Sequence, residues 1–234
     1  MSKAGDSLKK YRSKRNFDVT SEPSGGERKR SSPTRGSTKK ALAYVIQKHQ
    51  ASHLHYDFRL EWNGVLLSWA IPKGPSLDPS VKRLAAQVED HPLEYGGFEG
   101  VIPEGEYGGG TVMLWDKGTW TPEIPDVDAA LGKGELKFNL NGKKLKGSWV
   151  LIRTKGGFGG SRKPQWLLIK HRDQYASTED VLATEPRSVL SDRWMAEIAR
   201  DGDGHVAKAA RADPLGSRET AGSRTRAGSR ARAS

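Results

Sequence analysis

Lys48 to Trp62 reads KHQASHLHYDFRLEW, and its second half alternates two chemistries residue by residue. Leu54, Tyr56, Phe58, Leu60 and Trp62 form an apolar and aromatic set; His53, His55, Asp57, Arg59 and Glu61 form an ionisable one. A period of two predicts a β-strand, in which same-face neighbours stand roughly 6 to 7 Å apart. One face then packs, while His55, Asp57 and Arg59 line up on the other. Imidazole nitrogen and carboxylate oxygen suit a divalent cation, and a guanidinium two residues on can grip a phosphate bidentately. His49 can add a third ligand if the chain bends between Gln50 and His53. The plainer alternative is a half-solvated strand whose ionisable residues serve no purpose. Three histidines within seven residues, out of six in the chain, weigh against it.

Working outward, Ala41 to Gln47 is a short apolar run that reads as the preceding strand, and Asn63-Gly64 is a strong hairpin signal. Val65 to Ile71 is its return strand. Pro72 to Pro79 holds three prolines in eight residues and must be a loop. Arg83 to Asp90 alternates loosely, and Thr111 to Trp115 is again strand-like. Asp126 to Leu131 predicts a short helix capped by Asp126. Leu136 to Leu140, Asn141-Gly142 and Gly147 to Arg153 make a second hairpin. A GGFGGSRKP loop then leads to Trp166 to Lys170. Short strands with tight turns predict an all-β fold, a compact β-barrel of about eight strands with few short helices. Ser191 to Ala199 reads as one terminal helix.

Charge divides the chain. Lys and Arg against Asp and Glu number 12 and 4 in residues 1–40, 20 and 20 in 41–200, and 7 and 4 in 201–234. The whole net charge of +11 therefore sits in the two ends. These are rich in Ser, Gly, Ala and Arg and too poor in apolar residues to bury much surface. The predicted divisions are a basic N-terminal arm and linker over 1–40, a barrel over 41–175, a linker with a short helix over 176–200 and a disordered basic tail over 201–234. Within the first, Leu8, Tyr11 and Phe17 suggest an ordered arm lying on the domain. Basic arms suit a polyanion, because Lys and Arg displace counterions from phosphate backbones. A solubilising tail is the competing reading. There is no cysteine, which removes disulfides and thiolate metal sites. No apolar run approaches membrane-spanning length and no secretory core is visible, so a cytoplasmic, nucleoid-associated protein without membrane contact is expected.

His91 follows Glu89 and Asp90 at a strand end, where sites are commonly built. Tyr95, four residues on, either donates its phenol to a phosphate oxygen or packs. Lys73 and Arg83 are further cationic candidates. GEYGGGT at Gly105 to Thr111 lacks the ending of a P-loop and the spacing of a dinucleotide fingerprint, and reads as a turn feeding a strand.

The segments VIQKHQASHLHYDFRLEWNGVLLSWAIPKGPSLDP, KRLAAQVEDHPLEY and FEGVIPEGEYGGGTV together resemble the 3′-phosphoesterase domain found at the N-terminus of bacterial DNA ligase D and in free-standing proteins. The likeness runs from about Tyr44 to Asp173 and extends weakly to YRSKRNF and SVLSDRWMAEIA. It implies a β-barrel enzyme that uses Mn2+, or another divalent metal, to trim 3′ ends during break repair. Such enzymes remove a 3′-phosphate, or a 3′-ribonucleoside and then the phosphate, leaving a 3′-OH. By this resemblance His49, His55 and Asp57 are the metal ligands, and Arg59, His91 and Tyr95 the phosphate-contacting and catalytic group. Gln47, Lys73, Arg83 and Glu89 support the active face, and Arg15 and Glu22 belong to an arm completing the site. Asn16 stands where an aspartate is usual and His53 where a basic residue is common; His53 is not expected to ligate.

The expected partners are DNA 3′ ends, including ends with a terminal ribonucleotide, together with Ku, a separate ATP-dependent ligase and a polymerase, since no ligase or polymerase domain is present. The cation is expected on the inner wall of the barrel, and His91, if protonated, can give its proton to the leaving oxygen. Two rival readings remain: a non-catalytic DNA-end or single-strand binding barrel, and an esterase of small phosphate compounds.

Overall fold

Asn63 and Gly64 adopt positive φ, 50° and 83°, as a two-residue turn matching the strand twist requires. The turn joins β2 (Leu54–Trp62) to β3 (Val65–Ile71) and sets their register, so that Trp62 pairs with Val65 and Arg59 with Ser68. A computed structural model describes residues 6–26, 41–155 and 165–215. Its other strands are β1 (Leu42–Gln50), β4 (Arg83–Gln87), β5 (Gly100–Ile102), β6 (Gly110–Pro122), β7 (Glu135–Gly142), β8 (Lys146–Arg153) and β9 (Gln165–Lys170). The order β1-β2-β3-β4-β9-β8-β7-β6, with β6 returning to β1, closes an antiparallel eight-stranded barrel. Closure leaves no free edge among those eight. The short β5 adds to β6 beside the seam.

The apolar set of β2 points inward. Tyr56, Phe58 and Leu60 join Tyr44, Ile46, Trp69, Trp115, Trp120, Phe138, Trp149 and Trp166 in the interior. Aromatic side chains dominate because each buries a large area; Phe58 stacks on Phe138 at 5.8 Å and Trp69 meets Trp166 edge-on at 6.1 Å. β7 shows the same alternation, with Leu136, Phe138 and Leu140 buried and their neighbours exposed. Asp116, fully buried, accepts from the backbone N–H of Lys117, Lys144 and Leu145 and from Tyr44. It thereby clamps the β7–β8 turn to the seam.

The ionisable set of β2 therefore faces outward, and the expectation of an inner-wall site is corrected: the interior is already filled. That outer face is nevertheless covered. Leu8 and Tyr11, around helix α1 (Lys9–Arg12), pack with Val65, Leu66, Tyr95, Phe98, Ile102 and Val112 in a second small core.

Helix α2 (Val127–Lys133) is capped by Asp126, whose carboxylate accepts from Ala129 N. At the C-terminal end come α3 (Val181–Thr184), α4 (Met195–Asp201) and α5 (Val206–Ala209). The terminal helix starts at Met195 rather than Ser191, because the Ser188 and Ser191 hydroxyls bond Glu99 and hold that segment as a turn. Residues 201–215, expected in the tail, instead pack on the barrel. Ala209 and Ala212 are buried in the main core, and the Asp213 carboxylate accepts from Met195 N and Ala196 N, both at 3.0 Å. Residues 27–40 of the linker expected over 24–40, the GGFGGSRKP loop and residues 216–234 lie outside the described residues. Among the described residues no helix is long and apolar enough to cross a membrane.

Candidate metal and phosphate site

Strand register assembles the site. β1 and β2 pair His49 with His55 and Gln47 with Asp57, and β2 pairs Arg59 with Ser68 of β3. Facing side chains in a ladder start about 4.5–5.5 Å apart, so one outward patch holds two imidazoles, a carboxylate and a guanidinium. His49 Nδ1 and His55 Nε2 each stand 3.7 Å from Asp57 Oδ2, and one ligand atom from each residue lies within 4.8 Å of the others.

The hydrogen bonds on the far side of each ring decide what these atoms are. His55 Nδ1 donates to the His53 carbonyl at 3.0 Å and His49 Nε2 donates to the Gly108 carbonyl at 2.8 Å. Each bond places the proton on the outer nitrogen and leaves a lone pair on the one facing Asp57. Two ligands about 2.1 Å from one cation are about 3.4 Å apart at a tetrahedral angle; the two imidazole–carboxylate distances of 3.7 Å are close to that, and the set as a whole, within 4.8 Å, closes on a divalent ion by side-chain rotation. Burial opposes charge on Asp57, but the Arg59 guanidinium beside it holds its carboxyl well below the usual range. Burial pushes the His55 pKa down against the pull of Asp57, which keeps that ring neutral and able to ligate.

Arg59 is buried and almost fully committed. Its Nε donates to Gln47 Oε1 at 2.8 Å, Nη1 contacts Ser68 Oγ and His91 Nδ1, both at 2.9 Å, and Nη2 donates to Asp57 at 3.1 Å. A guanidinium has five N–H groups, so the bidentate grip read from sequence is not open to it. Arg59 offers a fixed charge and one remaining N–H. Gln47 in turn donates to the Tyr95 and Phe98 carbonyls at 3.0 and 2.8 Å. It positions Arg59 rather than lining the cleft.

His91 sits between two guanidinium groups, with Arg59 at Nδ1 and Arg15 Nη2 3.4 Å from Nε2. Burial, then Arg59 and Arg15, push its pKa well below the ordinary imidazole value. A protonated His91, the condition for its donating to the leaving oxygen, is thus disfavoured, because a third positive charge would be buried beside two. Burial pushes the Tyr95 phenol well up, keeping its proton in place.

The N-terminal arm completes the wall. Arg15 pairs with Glu22 at 2.9 Å and lies 3.8 Å from the Tyr11 ring centre, while Lys14 spans from Glu89 (3.0 Å) to the Tyr107 hydroxyl (2.8 Å). Burial opposes charge on Glu89, but the Lys14 bond carries the net shift below the ordinary range. Arg15, His49, His55, Asp57, Arg59, Glu89, His91, Tyr95 and Tyr107 line one cleft of about 160 Å³. A larger groove of about 570 Å³ lies beyond Ile102, between Val101–Glu104 and Gly202–Lys208, and holds none of the candidate ligands.

Residues 47–153 match the family described as "DNA Ligase D 3'-phosphoesterase domain". This barrel belongs to that family. Over 214 residues the chain is 50% identical to the multifunctional non-homologous end joining protein LigD of Pseudomonas aeruginosa, covering 90% of this chain and 24% of that protein. It is 46% identical over 169 residues to the multifunctional non-homologous end joining DNA repair protein LigD of Mycobacterium tuberculosis (72% and 20%). It is 41% identical over 208 residues to the corresponding protein of Mycolicibacterium smegmatis (84% and 26%). The chain thus spans about a quarter or less of these relatives' length.

Within this phosphoesterase-family domain, not every residue named from sequence reaches the cleft. Lys73 is exposed, and Arg83 lies on β4 away from it, its Nε buried without a hydrogen-bond partner among the described residues. Asn16 is exposed and caps a turn by accepting from Asp18 N at 3.2 Å. His53 is exposed and contributes only its carbonyl to the His55 ring. Ser68, Lys14, Tyr107 and Gly108 were not singled out. Ser68 follows from the hairpin, since a two-residue turn at 63–64 places it opposite Arg59; the other three carry no signal of their own.

Proposed function

We propose that this domain is a divalent-metal-dependent phosphoesterase that removes 3′-phosphate and 3′-ribonucleoside groups from DNA ends, leaving a 3′-OH, as an end-processing step of non-homologous end joining. The observation that carries this reading is the pair of carbonyl-anchored imidazoles whose lone pairs meet Asp57 beside two buried guanidinium groups. His49, His55 and Asp57 would hold the cation, with Mn2+ expected. When bound, it supplies Lewis acidity toward a phosphoryl oxygen and toward bound water.

The protein's own groups do the rest. Arg59 and Arg15 set positive charge on either side of His91, where negative charge on the non-bridging oxygens would grow. Fixed charge of this kind usually dominates phosphoryl transfer. Tyr95 acts as a hydrogen-bond donor to those oxygens, the neutral His91 ring holds its place between the two guanidinium groups, and the arm excludes water from one side of the cleft.

The test is turnover of a primer-template ending in a 3′-phosphate or a 3′-ribonucleotide, with Mn2+, with Mg2+ and with chelator. A 3′-OH product that needs the metal and disappears in His55→Ala supports the reading. Metal-independent binding without product assigns the domain to the non-catalytic DNA-end binders instead.

A further inference from the structure

Two tyrosines line the cleft and differ in what they offer. Tyr95 is buried at its floor, whereas Tyr107 is 43% exposed at its mouth. Tyr107 is also held firmly. It lies in the 103–109 turn, where Glu106 N donates to the Pro103 carbonyl and Gly109 N to the Glu106 carbonyl. The next residue, Gly108, supplies the carbonyl that anchors His49. Lys14 Nζ bonds the phenol oxygen and lies 4.1 Å from the ring centre. The ring centre is 5.5 Å from the Arg15 guanidinium carbon, close to the distance a sugar spans between a phosphate and its base.

Resting on the phosphoesterase reading, we infer that Tyr107 is the stacking platform for the last nucleobase of the strand whose 3′ phosphate enters the cleft. An exposed aromatic ring already held by a lysine at its hydroxyl and over one face loses little conformational freedom when a base stacks on it, and every base has a π-face, so the contact grips any sequence. Cations beside the phosphate and a ring one sugar away form a two-point grip on a terminal nucleotide. This also selects polynucleotide ends over small phosphate esters without a base.

The experiment keeps chelator present, so that binding is read without turnover. The probe is a primer-template with 2-aminopurine as its last nucleoside and a 3′-phosphate. Wild-type protein is expected to quench the 2-aminopurine. Tyr107→Ala is expected to lose the quenching and bind about 5- to 100-fold more weakly, the equivalent of about 1–3 kcal/mol per stacked base. Tyr107→Phe keeps both, since the ring and not the Lys14 tether does the stacking. On an end whose last nucleotide is abasic, wild-type and Tyr107→Ala bind alike. Unchanged quenching in Tyr107→Ala, failure of Tyr107→Phe, or an equal loss on the abasic end would each overturn the assignment. Failure to release phosphate with Mn2+ would sink the catalytic reading while leaving the quenching result standing.

Discussion

His49 and His55 stand opposite each other across β1 and β2 with ring centres 4.8 Å apart, and both give their N–H to main-chain carbonyls. Two lone pairs and a carboxylate aimed at one point form an arrangement that a cation stabilises. Saturating Mn2+ should therefore raise the thermal midpoint. Binding to the folded state alone contributes about 2.7 kcal/mol at 100 times Kd, which is roughly 5–10 °C for a domain of this size. Scanning calorimetry of His49→Ala, His55→Ala and Asp57→Ala, and of wild-type protein in chelator, should show no such rise. A rise that persists in all three variants would remove the ligand assignment.

Gln47 contributes no atom to the cleft yet holds Arg59 Nε at 2.8 Å. Gln47→Leu takes the partner from a buried guanidinium N–H and from the Phe98 carbonyl, and one of two donors from the Tyr95 carbonyl, at a cost of about 1–3 kcal/mol in stability for such a loss. Turnover should fall about 10- to 100-fold, as it does when a residue orienting an active group is removed, while Mn2+ affinity stays near wild-type. Equal loss of Mn2+ binding would mean that Gln47 supports the ligands and not Arg59.

What could be read in the sequence was whatever is local. The alternation of Leu54–Trp62 shows a strand, and Asn63-Gly64 shows its turn. Together they bring His55, Asp57 and Arg59 to one face and put Ser68 opposite Arg59. The wall was misjudged because the apolar set, not the ionisable one, fills the barrel. The ionisable face becomes buried through Tyr95 and Phe98 and through Leu8 and Tyr11, the last two being apolar residues of a basic segment that read as an arm lying on the domain without showing which face it covers. Arg15 meets His91 across 76 residues and Lys14 meets Tyr107 across 93, and no periodicity encodes such contacts. Residues 201–215 were missed for the same reason: Ala209 and Ala212 look unremarkable until the barrel end covers them.

Gly25 ends the arm with φ at 68°, and a Cβ placed there would lie 2.7 Å from Pro92 Cβ. Its carbonyl accepts from Arg12, so this turn fastens α1. Gly25→Ala meets both a strained backbone, at about 1–3 kcal/mol, and a clash. The arm should loosen while the barrel stays folded. Limited trypsinolysis should then cut at Lys14 or Arg15 far faster than in wild-type, with little change in the midpoint of the barrel. Unaltered cleavage would show that the arm is held by Tyr11 alone.

Asp213 serves two groups at once. Its carboxylate caps α4 through Met195 N and Ala196 N, and its charge faces buried Lys48, whose ammonium donates to the Ala212 carbonyl. Burial lowers the Lys48 pKa and Asp213 pulls the other way. Asp213→Ala should lose about 0.5–2 kcal/mol for the cap and more for the lysine left without a counter-charge. Lys48→Met should cost less, since it removes the buried lysine charge and the Asp213 carboxylate left without it still accepts from two backbone N–H groups. If the charges couple, the double variant is more stable than the two single losses predict, by about 0.5–3 kcal/mol. Losses that add to within about 0.5 kcal/mol would show that Asp213 acts through the helix cap alone.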